Sequence, residues 1–539
     1  MLPPLVAIVL AILFRRAVLP LAFGVLIGAL LLAHSDAANF AYRDLIPFLT
    51  EPTPEERAEL LVRTSWWHAP VVFLKSVIQS ICSKSHLQVF AFTVLLGAMV
   101  GVLERCGGML ALIGHLTRRV RSRCAAQTMI ATSGLVIFFD DYANTLLVGG
   151  TMRSTADKFN ISREKLAYLV DSTAGPVAGL ALISTWAAVE ISYMADGLKA
   201  AGIEDSSAAF LMFVQSIPYR FYPWLALALV FCVAITGRDF GAMKEAEEVA
   251  QGQEHVHKLD HPSEQSRWLW LAAVLPITCC VGAVFAVIAV TGYQAVESTS
   301  FHSTLQFFGE VLGNGDSYIA LVIGGTVGLL VAALSHLAWG QTNLGEILRG
   351  AFDGASQMLP AIVILWFAWA LSAMTESDAL NTGGYLASVL SDRMNPQYLP
   401  TVVFILSGAM AFSTGTSWGT MGVMTPLSIS LALQLDAAGG PSGAIALATC
   451  GSVLAGAIFG DHCSPISDTT VLSSRASGCD HVAHVRTQMP YAVLVAFICI
   501  VVGTLPAAFG VSPWISLGVG VVVIVLLIRS LGSAPEAAA

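Results

Sequence analysis

The sequence predicts an all-α polytopic membrane protein, organised as two inverted repeats with re-entrant hairpins and broken transmembrane helices. Three observations lead there. Of 539 residues, 55% are hydrophobic and 12% charged, whereas a soluble domain carries roughly 25% charged residues; the mean hydropathy is +0.72. Apolar stretches long enough to cross a bilayer recur from end to end. One of them, GLVIFFDDYANTLLVGG at 134–150, holds two adjacent aspartates, Asp140 and Asp141, between two basic flanks.

About a dozen segments qualify as spans, among them 17–33, 87–103, 211–236, 268–292, 316–340, 486–510 and 512–530. They divide the chain into N-terminal helices with an external loop (1–68), a first repeat (69–236), a cytoplasmic loop (237–267), linking helices (268–340), and a second repeat with C-terminal helices (341–539). The leading MLPPLVAIVLAILFRR lacks a basic stretch before its apolar run and a small-residue cleavage site, so it reads as a retained helix. Lys and Arg orient the rest, because cytoplasmic loops collect them. Loop 34–64 sets Asp36, Asp44, Glu51, Glu55, Glu56 and Glu59 against three arginines and reads as external; RRVRSR (118–123) reads as cytoplasmic. Residues 237–267 hold four basic residues and 293–315 no lysine or arginine, with one span between them, so the first is expected inside and the second outside.

Residues 124–152 have Arg118 to Arg123 on one side and Arg153, Lys158, Arg163 and Lys165 on the other. Both ends call for the cytoplasm. Two crossings need roughly 40 residues, and this stretch is shorter. A hairpin that enters halfway and returns fits, with its tip at Asp140 and Asp141. Irregular backbone at that depth survives only when it lines a protein-enclosed or water-filled cavity.

The chain also repeats itself. VLLGAMVGVLERCGGMLALI (94–113) recurs loosely as FAWALSAMTESDALNTGGYLASVL (367–390), pairing Glu104 with Glu376. SGLVIFFDDYANTLLVGGTM (133–152) is echoed by SGAMAFSTGTSWGTMGVMTPL (407–427), pairing Phe139 with Phe412. GPVAGLALISTW (175–186) is echoed by GSVLAGAIFGDHC (451–463), pairing Ala178 and Gly179 with Ala455 and Gly456. The second copy's counterpart of the basic cluster, SDRMNPQ (391–397), has one arginine, as an inverted copy would. Inverted repeats with broken helices meeting near the midplane are a signature of secondary transporters.

Placing one aspartate at the bilayer centre costs about 2.5–3.5 kcal/mol. Asp140 and Asp141 are therefore expected in the interior, sharing a proton or a cation, since two close carboxylates do not both ionise without counter-charge. A helix N-cap accounts for one of them, not both. LVDSTAGPVAG (169–179) sets Asp171, Ser172 and Thr173 before Pro176, which is expected to break the helix and free carbonyls for a hard cation. A simple N-cap explains the same residues equally well. FGDHCSPISDTTVLSS (459–474) adds Asp461, His462, Ser464, Ser467, Asp468, Thr469 and Thr470 around Pro465, and its first-half counterpart contains Ser184 and Thr185. STGTSWGT (413–420) offers Ser413, Thr414, Thr416 and Ser417 as a hydroxyl-rich second hairpin tip opposite Asp140 and Asp141.

Other chemistries fail on context. Asp461, His462 and Cys463 are consecutive and cannot easily face one zinc ion, and no second His/Cys pair stands at ligand spacing. Gly415 to Gly419 matches a nucleophile elbow, but no strand and helix of a soluble α/β sheet surround it. Asp239-Phe240-Gly241 imitates a kinase motif without any other kinase element. The ten cysteines are scattered in apolar segments and read as small buried hydrophobes. A net charge of −9 without a clustered basic surface excludes nucleic acid as a partner. His255, His257 and His261 read as a solvated loop, and Glu104, Arg105 and Glu190 as buried ion pairs or relay groups.

FFDDYANTLLVGGTM, SREKLAYLVDSTAGPVAGLALISTW, GRDFG, STGTSWGTMGVMTP and GDHCSPISDTTVLSS together resemble the NhaC-type Na+/H+ antiporters, over residues of about 90 to 480. The resemblance implies inverted repeats, a homodimer of scaffold and transport domains in the cytoplasmic membrane, and no cofactor. It also implies Na+/H+ exchange, or Na+- or H+-coupled movement of a small organic anion, as some relatives exchange malate for lactate. The family positions carried over are Asp140, Asp141, Asn144, Asp171, Ser413 to Ser417, Asp461, His462, Ser464 and Asp468. The expected function is Na+ extrusion against H+ by a lipid-embedded, multi-pass carrier. Asp140, Asp141, Asp461 and Asp468 bind the competing ions, and Thr145, Ser172, Thr173, Ser413, Thr414, Ser464 and Thr469 complete an oxygen cage.

Overall fold

The computed structural model describes residues 2–14, 18–34, 69–117, 120–203, 206–252, 268–295, 315–339, 342–375 and 394–534, with isolated positions in 379–389. The chain folds into helices, and among these residues the one β pairing is an isolated bridge between Asp239 and Ser533. In chain order the helices are α1 (Leu2–Phe14), α2 (Val18–His34), α3 (Ala69–Cys82), α4 (Lys84–Arg105), α5 (Gly108–Thr117), α6 (Arg123–Val136), α7 (Asp141–Lys158) and α8 (Arg163–Ala178). There follow α9 (Thr185–Ala200), α10 (Ser206–Ser216), α11 (Phe221–Thr236), α12 (Gly241–Gln251), α13 (Leu271–Ala295), α14 (Ser317–Trp339), α15 (Leu344–Gln357) and α16 (Leu359–Thr375). The last are α17 (Leu399–Thr414), α18 (Ser417–Leu435), α19 (Ala444–Cys463), α20 (Asp468–Ser477), α21 (His481–Ile498) and α22 (Pro513–Leu531).

Among the described residues, 8 helices are long and apolar enough to cross a membrane, or 9 if the bent pair Ala208–Tyr219 and Phe221–Thr236 is one span. That is fewer than the dozen expected. Segment 211–236 bends by 44° beside Arg220, and the polar 123–200 stretch is cut into four short helices. Segment 486–510 belongs to a helix that starts earlier, at His481, and runs through a π turn (Cys499–Thr504) to Ala508.

Pro176 does not break its helix. α8 continues to Ala178, and every residue from Lys165 to Ala178 is buried. Close packing holds the backbone helical although proline withholds the donor that Ser172 O would otherwise receive. The interruption falls after Gly179 instead, at 180–184.

Two interfaces bring helix backbones into contact through glycine. A Cβ on Gly101 of α4 would stand 2.1 Å from Gly350 O of α15, and one on Gly460 of α19 would stand 2.1 Å from Gly408 O of α17. Small residues at such crossings let membrane helices approach closely. α4 also packs on α14, and α14 on α13. The remaining large group, α6 to α9 with α11 and α17 to α21, surrounds the buried polar residues.

Outside the spans, α12 is pinned by Glu247, which is fully buried, ion-paired to Arg123, and accepts the Ser162 N–H at 2.7 Å. Just before it, buried Asp239 pairs with Lys165 and accepts Tyr491 OH at 2.8 Å. The GRDFG motif is thus a structural fastening between the α11 exit, α8 and α21. Residues 35–64 of the expected external loop, Glu376, Arg118, residues 391–393 of the arginine-poor 391–397 segment, residues 296–314 of the expected 293–315 loop, and His255, His257 and His261 lie outside the described residues. Arg105 does not pair with Glu104; it reaches Glu346 at 2.6 Å and Asp353 at 2.9 Å on α15.

Candidate functional site

Four helices start inside the protein, and each start is capped by a side chain that accepts a backbone N–H, as an N-cap must. Asp140 caps α7 by accepting Ala143 N at 2.8 Å. Ser184 caps α9 by accepting Ala187 N at 3.0 Å. Thr416 caps α18 by accepting Gly419 N, and Ser467 caps α20 by accepting Thr470 N.

Each interrupted stretch is stitched to a second one. Thr185 N, at the start of α9, donates to Phe139 O just before the α7 cap, at 2.9 Å. Asp468 N, at the start of α20, donates to Gly415 O just before the α18 cap, at 3.4 Å. The two bonds occupy equivalent positions relative to the helix caps. Gly415 turns with φ +67, and a Cβ there would lie 2.5 Å from Ile466 O, so only glycine lets these two breaks touch. Ser464 Oγ adds a bond to Phe412 O at 2.7 Å.

α7 packs on α20, and α9 packs on α18. Tyr142 OH donates to Asp468 Oδ2 across the first contact. Trp186 and Trp418 meet edge to face, with centroids 6.0 Å apart, across the second. All four N-termini, with their partial positive charge, therefore lie close to the acidic residues.

The two adjacent aspartates have different surroundings. Asp140 is spent: Oδ1 caps α7, and Oδ2 accepts Thr185 Oγ1 at 3.0 Å. Asp141 is 0% exposed, and among the described residues neither of its carboxylate oxygens has a hydrogen-bond partner. Its charged neighbours are Asp140 and Asp468, with the Trp186 indole beside it. Across the α19–α20 break, Asp461 accepts Thr469 Oγ1 at 2.5 Å on Oδ2, while its buried Oδ1 is unpartnered. The four carboxylates thus fall into two pairs, Asp140 with Asp141 and Asp461 with Asp468, linked through Tyr142. Among the described residues no three His, Cys, Asp or Glu side chains form a group that could hold a metal ion, so a bound cation needs hydroxyl or carbonyl oxygens as well.

Asp171 sits one layer behind. Its Oδ2 accepts Gln488 Nε2 at 2.6 Å and Thr470 Oγ1 at 3.2 Å, with His484 Nε2 at 3.4 Å. Asn144 uses its amide to hold the hairpin break, donating to Gly134 O at 2.7 Å and Ile137 O at 3.1 Å. Several expected cage hydroxyls donate to carbonyls of their own helices: Thr145 to Asp141 O, Thr173 to Leu169 O, and Ser413 to Ala409 O. Thr414 turns to Thr416 O at 3.4 Å. Ser172 and Ser417 are buried, while Ser413 is partly exposed. His462 meets Tyr222 OH at 3.1 Å and gives its carbonyl to Gln488. Sequence reasoning missed Tyr142, Trp186, Gln488 and His484. Tyr142 alone carried a signal, being next to Asp141; the others come from distant helices.

The family model described as the Na+/H+ antiporter family matches residues 177–506. An uncharacterised protein of Haemophilus influenzae is 32% identical over 501 residues, covering 92% of this chain and 88% of that one. The malate-2H(+)/Na(+)-lactate antiporter of Bacillus subtilis is 32% identical over 165 residues, 29% of this chain and 33% of that one. Two solved transporters share the fold at TM-score 0.56 and 14% identity. They are YdaH of Alcanivorax borkumensis, covering 83% of this chain and 90% of that one, and MtrF of Neisseria gonorrhoeae, covering 93% and 97%. The chain belongs to the Na+/H+ antiporter family, a family of multi-span secondary transporters and not of enzymes.

Proposed function

We propose that this protein exchanges Na+ for H+ across the cytoplasmic membrane by alternating access, with the two ions competing for the carboxylates around Asp141. The observation that carries the reading is Asp141 itself, fully buried, with both oxygens unpartnered among the described residues, the Trp186 indole beside it and acidic neighbours in Asp140 and Asp468. A buried carboxylate without donors is stable only when a proton or a cation neutralises it. Each can replace the other there, which is the physical requirement for exchange. Asp461, with one unpartnered oxygen, and Asp468 supply the second wall.

The equivalent bonds from Thr185 to Phe139 and from Asp468 to Gly415 support two inverted repeats, each made of a re-entrant hairpin and a broken span. So does the pairing of α7 with α20 and α18 with α9, since exchange of halves maps one contact onto the other. The register that follows pairs Phe139 with Gly415 and Ser184 with Ser467, a few residues away from the register of the sequence echoes.

The similarity to a malate and lactate antiporter favours a second reading, a Na+-coupled carrier of a small carboxylate, and four converging helix N-termini suit an anion. Everted vesicles carrying a pH-sensitive dye separate the two. In the first reading Na+ alone collapses a preset proton gradient. A response that requires an added organic anion supports the carrier instead and rules out simple exchange.

A further inference from the structure

Arg220 and Glu190 form an ion pair at 2.7 Å with side chains 1% and 2% exposed. Charges so deep in a membrane protein are expensive, and neither residue touches the carboxylate cluster described above. What they touch is the machinery that shapes it. Arg220 lies at the 44° bend between α10 and α11. Its guanidinium donates to Gly179 O, the last turn of α8 before the break, and to Ser216 Oγ at 3.2 Å. It stacks over Phe213 with 4.7 Å to the ring centroid. Glu190 is on α9, in the turn after Trp186. One side chain therefore ties together the two sides of the α8–α9 break and the bend of the neighbouring span. That bend also rests on the second half, because a Cβ on Gly451 of α19 would lie 2.8 Å from the Tyr219 backbone.

The start of α9, one turn before Glu190, is what faces the site: Thr185 holds Asp140 at 3.0 Å, and Trp186 stands beside Asp141. We infer that the Arg220–Glu190 pair is a positioning device for the cation site, fixing the start of α9 so that Thr185 and Trp186 hold Asp140 and Asp141 in binding geometry. The pair acts through α9 and contacts no ion. The inference rests on the Na+ reading of that site. Supporting partners one shell removed from a metal typically change its affinity by about 10–100-fold, and this is the scale expected here.

Removing one charge leaves the other buried and unpaired, so the test uses the neutral double variant Glu190→Gln/Arg220→Gln together with Arg220→Lys. Arg220→Lys keeps the charge but cannot span Gly179 O, Ser216 and Glu190 at once. Two readouts are taken on purified, monodisperse protein: the half-saturating Na+ concentration for exchange in proteoliposomes, separated from maximal rate, and the rise in melting temperature with Na+, which does not involve proton movement. The expected result is a half-saturating concentration raised at least about tenfold in both variants, with maximal rate within about threefold and the Na+-dependent melting shift displaced to the same higher concentration. Wild-type Na+ dependence in either folded variant, or a lost maximal rate with unchanged Na+ dependence, overturns the inference. If the double variant does not fold, Arg220→Lys decides. A wild-type protein that shows no Na+ response in the melting assay refutes the underlying Na+ reading instead, so the two failures are told apart.

Discussion

Asp140 and Asp141 are adjacent in the chain and opposite in circumstance. Asp140 spends both oxygens on Ala143 N and Thr185 Oγ1, whereas among the described residues neither oxygen of Asp141 has a hydrogen-bond partner within bonding geometry, the Trp186 indole standing beside it. Asp141→Asn is accordingly expected to lower Na+/H+ exchange by about 100-fold, the upper end of what loss of a metal-site group costs. Asp140→Asn keeps a side-chain oxygen for the cap, because asparagine caps as well as aspartate, and is expected to retain measurable exchange. Dye-reported gradient collapse in everted vesicles checks both, and equal loss in the two variants would refute the division of labour. The sequence showed that both aspartates must be interior. It could not tell which one was the cap, since that depends on where the helix begins and on Thr185, which lies far along the chain. Asp171 was equally ambiguous, and its bonds to Gln488, Thr470 and His484 come from helices that no local pattern links to it.

The helices around the site are short and buried, so their ends depend on their caps. Ser184 both accepts Ala187 N at 3.0 Å and donates to Ala178 O at 2.8 Å, bridging its own break. Ser184→Ala is expected to cost about 1 kcal/mol, read as a lower melting temperature of the detergent-solubilised protein; an unchanged melting temperature would show that α9 does not rely on this cap. Breaks of this kind were legible as places where polar residues interrupt apolar runs. Their positions were not: Pro176 drew the expected break into α8, while packing on every side kept that helix intact. Outside the spans, burial holds Glu247 above its ordinary value of 4.5 despite the attraction of Arg123 and Lys165. From pH 4.5 upward, until the raised value is passed, the folded protein keeps a proton that the unfolded chain has lost. This contribution therefore weakens the fold as pH rises. Relative to wild type, Glu247→Gln is expected to gain stability across that window, and thermal melts at stepped pH follow the difference. A gap between the two proteins that stays constant with pH would contradict the assignment.

At the scale of the molecule, short helices from distant parts of the chain pack in pairs, α7 on α20 and α18 on α9. The all-helical multi-span character and the antiporter family were readable from composition and motif. The crossing of these helix pairs was not, because contact between distant helices has no local trace. The crossing brings Asp141 and Asp468 into one acidic neighbourhood, and Tyr142 connects the two sides. If one carboxylate cluster binds either ion, Na+ must displace protons from the protein itself, without any membrane gradient. The direct measurement adds Na+ to purified protein in weakly buffered detergent solution and records the pH. The account predicts prompt acidification that saturates with Na+ and disappears in Asp141→Asn; Na+ binding without proton release would contradict it.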